Sequence, residues 1–71
     1  MINTRKIKGR MAEMGLSQRD VAEAIGVAQS TLNQKINNIR PMDLEEAEKI
    51  CEKLKIPFSK FDEYFFYHGV A

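Results

Sequence analysis

The chain has 71 residues, a net charge of +1, one cysteine and one histidine. That length accommodates one small domain, and the lone Cys51 and lone His68 exclude an internal disulfide and argue against a Cys/His metal centre. No apolar run approaches the roughly 18 residues of a membrane span, and Met1 to Arg10 is polar and basic with no apolar signal core. A cytoplasmic protein without membrane association or cofactor is therefore expected.

The small net charge hides an uneven distribution. Residues 1–40 carry seven basic side chains against three acidic, net +4, and residues 41–71 carry four against seven, net −3. A basic half suits a nucleic-acid-facing surface. Two ordinary solvated faces fit the same numbers.

In chain order, Asn3 is placed to cap a first helix, with Ile2 before it and Ile7 at the spacing of a hydrophobic staple. Ile7, Met11 and Met14 repeat at i, i+4, i+7, and Gly15 supplies a left-handed stop, so helix 1 is predicted over 4–14. Ser17 caps the next segment, in which Val21, Ala22 and Ile25 share a face before Gly26 ends it. A third helix runs from Ala28 to Asn37 with Leu32 and Ile36 inward, and Asn37-Asn38 tolerates the left-handed backbone of a helix end. Arg40-Pro41 forces a non-helical stretch.

Asp43 with Glu46 three residues on reads as an N-cap pair. Leu44, Ala47, Cys51 and Leu54 continue an apolar stripe with Ile50 beside it, which predicts a helix over 44–54. After Pro57, a short helix over about 58–65 places Phe58, Phe61 and Phe65 on one face, against helices 1 and 4. No segment alternates with period 2 long enough to predict a strand. The expected fold is all-α, with five short helices.

The informative stretch is Gln18 to Asn37, two short amphipathic helices around a glycine turn. A helix-turn-helix needs a small residue where the helices cross, supplied by Ala22, and a residue that accepts a left-handed turn, supplied by Gly26. Val21, Ile25, Val27 and Leu32 are the apolar anchors. On the outer face of the second of these helices lie Gln29, Ser30, Asn33 and Gln34, uncharged side chains suited to base edges.

This pattern resembles the helix-turn-helix of the phage repressor and Cro-type family. Gln-Ser-Thr-Leu-Asn-Gln-Lys-Ile is similar to a lambda-type Cro recognition helix. The chain as a whole looks like small Cro-like regulators of Gram-positive prophages, over about 60 residues. The resemblance implies a compact five-helix lambda-repressor-like domain over 1–71, with the helix-turn-helix at about 17–37 and an aromatic C-terminal segment at 57–71. It places Gln29, Ser30 and Gln34 at base-reading positions with Asn33 beside them, and Gln18 where the family holds a backbone phosphate. Asn37 and Arg40 follow the recognition helix, where further phosphate contacts are expected.

Three positions depart from the family pattern. Arg10 matches an arginine that in some relatives pairs with a glutamate at the position of Ile36, so it is expected to be left for phosphate. Lys35 stands where many relatives carry an apolar residue; packing there must differ, and Lys35 is expected to reach the DNA backbone. Asn38 stands where glycine is frequent.

Other features have plainer readings. Cys51, Met11 and Met14 are expected to be packing residues, and Glu45, Glu46 and Glu48 a solvated face. No nucleophile–base pair or phosphate-cradling glycine cluster is present, so no enzyme is expected.

All six aromatics, Phe58, Phe61, Tyr64, Phe65, Phe66 and Tyr67, fall in one ten-residue segment. They either complete the core or, through Tyr64, Phe66 and Tyr67, form a surface for a homodimer or another partner. Two functions fit the chain. One is a repressor that reads operator half-sites in double-stranded DNA; the other is a modulator that uses the same fold to bind a phage repressor protein. The chain ends without a linker, so a stand-alone domain is expected.

Overall fold

A computed structural model describes residues 1–65. Five α-helices follow one another: α1 (Thr4–Met14), α2 (Gln18–Ile25), α3 (Gln29–Ile36), α4 (Leu44–Leu54) and α5 (Phe61–Phe65), the last preceded by a 3-10 turn over Phe58–Lys60. The described residues are all-helical, as expected.

Local chemistry sets the boundaries. Asn3, Ser17 and Asp43 each cap a helix through the side chain, and at Ser17 and Asp43 the cap is reciprocated by Asp20 and Glu46. Each such pair satisfies two donors that the helix start leaves open. Helices α1 to α4 end alike, on a left-handed residue (Gly15, Gly26, Asn38, Lys55) whose successor donates its N–H five residues back. In three of these endings the successor is apolar and returns to the core: Leu16 and Val27 pack partly buried against it, and Ile56 is buried. The fourth, Ile39, is 69% exposed.

The core joins one face of every helix. Ile7, Val21, Leu32, Ile36, Ile50 and Leu54 are its fully buried side chains, closed by Phe61 and Phe65 from α5 and by Ile2 from the N-terminus. Asn38 clips that N-terminus to the end of α3, its Oδ1 accepting from the Ile2 N–H at 2.8 Å and its Nδ2 donating to the Ile2 carbonyl at 2.9 Å. A glycine there would supply the backbone angle and neither bond. The Asn3 N–H donates to the Tyr64 carbonyl at 2.8 Å, joining the same segment to α5.

Two expectations about the core are corrected. Leu44 is 60% exposed, because the buried stripe of α4 is Ala47, Ile50 and Leu54. At about 100° per residue, Leu44 lies roughly a quarter-turn from the centre of that stripe, with Cys51 half-buried at its margin. Phe58 is 86% exposed. Residues three apart nearly eclipse in a 3-10 turn, so Phe58 stacks outside Phe61, ring centroids 6.0 Å apart, while Phe61 takes the inner place.

Ile50→Ala should therefore lower the unfolding free energy by about 2–5 kcal/mol, and Phe58→Ala by no more than about 1 kcal/mol. Chemical denaturation of both variants checks this, and similar losses at the two sites would contradict the outward placement of Phe58.

Candidate nucleic-acid interface

The turn between α2 and α3 is built as the spacing requires. Gly26 sits at φ +76°, a left-handed conformation that a side chain would strain, although a Cβ there would meet open space. Ala22 is 2% exposed beneath the crossing. Val21 and Ile25 of α2 and Leu32 and Ile36 of α3 are all buried, so α3 is pinned by its inner face.

The outer face of α3 stays polar. Gln29, Ser30, Asn33 and Gln34 are exposed and line one open groove with Gln18 from the start of α2. The five side chains singled out in the sequence are thus brought together. Among the described residues, Gln29, Ser30 and Gln34 make no side-chain hydrogen bond. Asn33 and Gln18 are bonded to each other, Asn33 Nδ2 donating to Gln18 Oε1 at 3.0 Å. Asn37, half-buried, donates its Nδ2 to the Asn33 carbonyl at 2.8 Å and to Asn33 Oδ1 at 3.2 Å.

The start of α3 differs from those of α1, α2 and α4. Ala28 occupies the cap and makes no side-chain hydrogen bond. The N–H groups of the first turn are left as open donors at the positive end of the helix dipole, beside the groove.

A family model described as helix-turn-helix matches residues 7–61, which run from within α1 to the first residue of α5. The chain belongs to that family. In general terms it is a DNA-binding regulator, and the geometry above shows how its helix-turn-helix is assembled. A search of curated proteins finds no match to the chain. Among the described residues, no helix is long and apolar enough to cross a membrane.

Two basic side chains expected at phosphates are turned inward. Lys35 Nζ pairs with Glu46 Oε2, the two side chains only 15% and 14% exposed. Glu46 also accepts the Asp43 N–H through Oε1, so it locks the cap of α4 and the base of α3 together. Its carboxylate lets a lysine occupy a position that is largely closed to solvent. Arg10 lacks a glutamate at position 36 and instead donates to the carbonyls of Leu54 and Lys55, at 2.9 and 3.1 Å. It thus closes the carbonyl end of α4, where a cation is favoured. Arg40 is exposed and has no ion-pair partner among the described residues.

Tyr64 also faces inward. It packs half-buried against the core, with Lys6 Nζ 5.0 Å from its ring centroid. Phe66 and Tyr67, the other candidates for a partner surface, lie outside the described residues, as does His68. Burial pushes the Cys51 thiol up, and the Glu48 charge adds to this, so the thiol stays protonated near neutrality and acts as packing.

Sequence reasoning missed the inward roles of Lys35 and Arg10 and the clip that Asn38 forms with Ile2. A signal existed for Lys35, since the resemblance implied an apolar residue at that position and such a position faces inward. Lys35→Ala should destabilise the fold by about 1–3 kcal/mol, because it leaves the largely desolvated Glu46 without its cationic partner. Thermal melting reads this, and an unchanged melt together with a smaller salt dependence of DNA binding would restore the phosphate role.

A second expectation concerns acid. The Ser17 main-chain N–H and hydroxyl donate to Asp20 and hold its carboxyl below the ordinary aspartate range. Its folded-state pKa is depressed, so the stabilisation is present above the unfolded value of about 4 and is lost as pH falls through the folded value. Asp20→Asn should lower the melting temperature at neutral pH and shrink the acid loss, in melts taken from neutrality down to about pH 2.

Proposed function

We propose that this protein is a sequence-specific transcriptional regulator of the repressor type, reading operator half-sites by placing α3 in the DNA major groove. The supporting observation is the uncommitted polar face of α3: Gln29, Ser30 and Gln34 have unspent hydrogen-bonding groups in one open groove with Gln18. A glutamine amide carries a donor and an acceptor on one plane, the pair that an adenine edge requires in the major groove. Gln34 and Gln29 are the principal base readers and Ser30 an adaptable one. Gln18 and Arg40 hold phosphates on either side of α3 and fix the register of the helix.

The role of the apolar face of α3 is separate. Leu32 and Ile36 anchor the helix to the core and leave its direction rigid, so that short amides reach the bases without a large ordering cost.

Duplexes selected by the protein from a random-sequence pool supply the test. Gln34→Ala and Gln29→Ala should each weaken binding to the selected duplex by about 1–3 kcal/mol and relax one base position. Arg40→Ala should weaken selected and random duplexes alike and lower the salt slope by roughly one unit. Equal losses on selected and random DNA for the glutamine variants would remove the readout role, and a pool that yields no preferred sequence would remove sequence-specific function.

A further inference from the structure

We infer that Asn33 is a positioning residue that aims the amide of Gln18 at a DNA phosphate, and is not itself a base reader. The inference rests on the DNA-binding reading above and deepens it.

The polarity of the amide chain can be deduced from one atom. The side-chain atom of Asn37 that lies 2.8 Å from the Asn33 main-chain carbonyl must be nitrogen, because a carbonyl oxygen only accepts. The same nitrogen lies 3.2 Å from the Asn33 side chain, which must therefore present its oxygen. The other end of the Asn33 amide is then Nδ2, and it donates to Gln18 at 3.0 Å, so the Gln18 atom that receives it is Oε1. One atom of the Gln18 amide remains, Nε2, with two hydrogens and no hydrogen-bond partner among the described residues. A fixed main-chain acceptor thus propagates through three side chains and ends in a pair of outward donors.

That ending suits one class of ligand. Gln18 is the first residue of α2, directly after the Ser17 cap, and it lines the groove beside Gln29 and Ser30. With its oxygen already accepting from Asn33, the part of the amide left without any partner among the described residues is its pair of donors, at the positive end of a helix. A phosphate oxygen, which only accepts, matches those donors. Adenine, which needs a donor and an acceptor from one amide, is the poorer match.

The same bonds weigh against Asn33 as a base reader. Its oxygen already accepts from Asn37 and its nitrogen already donates to Gln18, so turning the amide plane toward a base edge would strain two existing bonds. Gln29 and Gln34, with no such bonds, keep both functions free. Holding Gln18 in its binding rotamer before DNA arrives also reduces the ordering cost of the phosphate contact.

A double-mutant cycle on Gln18 and Asn33 tests the relay, using a duplex selected from a random pool and a random-sequence duplex of the same length. Asn33→Ala should weaken binding to both duplexes by the same factor, about threefold to tenfold. It should leave every base preference of the selected sequence unchanged and cost less than about twofold on a Gln18→Ala background. In the DNA-free protein, Asn33→Ala should move the Gln18 side-chain amide resonances toward those of an unstructured glutamine while the melting curve stays in place. A relaxed base preference, or an undiminished loss on the Gln18→Ala background, would overturn the relay while leaving DNA binding intact. Failure of the unmodified protein to bind either duplex would overturn the DNA reading itself, and the relay with it.

Discussion

The close crossing of α2 and α3 is the constraint on which the rest of the structure depends. Each of these helices has eight residues, well short of the roughly 12–15 at which an isolated helix becomes even marginally stable in water. Neither holds its shape alone: α2 packs against both α3 and α4, and α3 against α2 and the shared core. The crossing needs Ala22 beneath it and the left-handed turn at Gly26, and once both are in place the inner face of α3 is committed. Lys35 then ties the base of α3 to Glu46, and Asn38 ties its end to Ile2, so a helix of only two turns is held from three sides. What remains free is its outer face.

That arrangement changes how the charge distribution is to be understood. The basic surplus of residues 1–40 looks, when counted along the sequence, like a reservoir for phosphate neutralisation. Lys35 and Arg10 spend their charge inside the fold, on a carboxylate and on helix carbonyls. Arg19 pairs with Glu23 and Lys6 with Glu63 at the surface, at 3.5 and 3.8 Å, and exposed pairs of this kind are weak enough to exchange partners. Arg5, Lys8 and Arg40 are exposed without an ion-pair partner among the described residues. Fewer cations are therefore left for phosphates than a count of basic residues suggests, which weights the proposed DNA contact toward neutral hydrogen bonds.

Most of the fold was legible in the sequence because it is written in local signals. Asn3, Ser17 and Asp43 mark three helix starts, Gly15 and Gly26 two helix ends, and the apolar spacing marks the buried faces. All of these act within one or two turns. The contacts that were missed are those whose partners lie far along the chain. Arg10 meets carbonyls 44 and 45 residues away, Asn38 meets the N-terminus 36 residues away, and Lys35 meets Glu46 across a loop. Nothing in the spacing of these residues announces such contacts. Leu44 and Phe58 failed for another reason: each lies at the first residue of its element, where the direction of a side chain depends on how the chain enters. The groove residues were legible because an outward polar face is the complement of an inward apolar one, whereas the bond between Gln18 and Asn33 was not.

The start of α3 is where the local rules are broken, and the break is informative. A serine, threonine, aspartate or asparagine at position 28 would be worth about 1 kcal/mol to the helix by closing its first N–H groups. Ala28 forgoes that stabilisation in a chain whose other long helices are all capped by side chains. The deficit is tolerable because α3 draws its stability from Leu32 and Ile36, which are essentially inaccessible to solvent, and not from its own end. An aspartate cap would also have placed a negative charge at the rim of the groove, opposing any anionic partner. With alanine there, the main-chain donors of the first turn stand open beside the outward donors of Gln18. The end of the molecule that carries the uncommitted amides of α3 is thereby also an end at which the main chain itself awaits acceptors, a conjunction that favours a partner bearing many closely spaced anionic oxygens over an apolar protein surface.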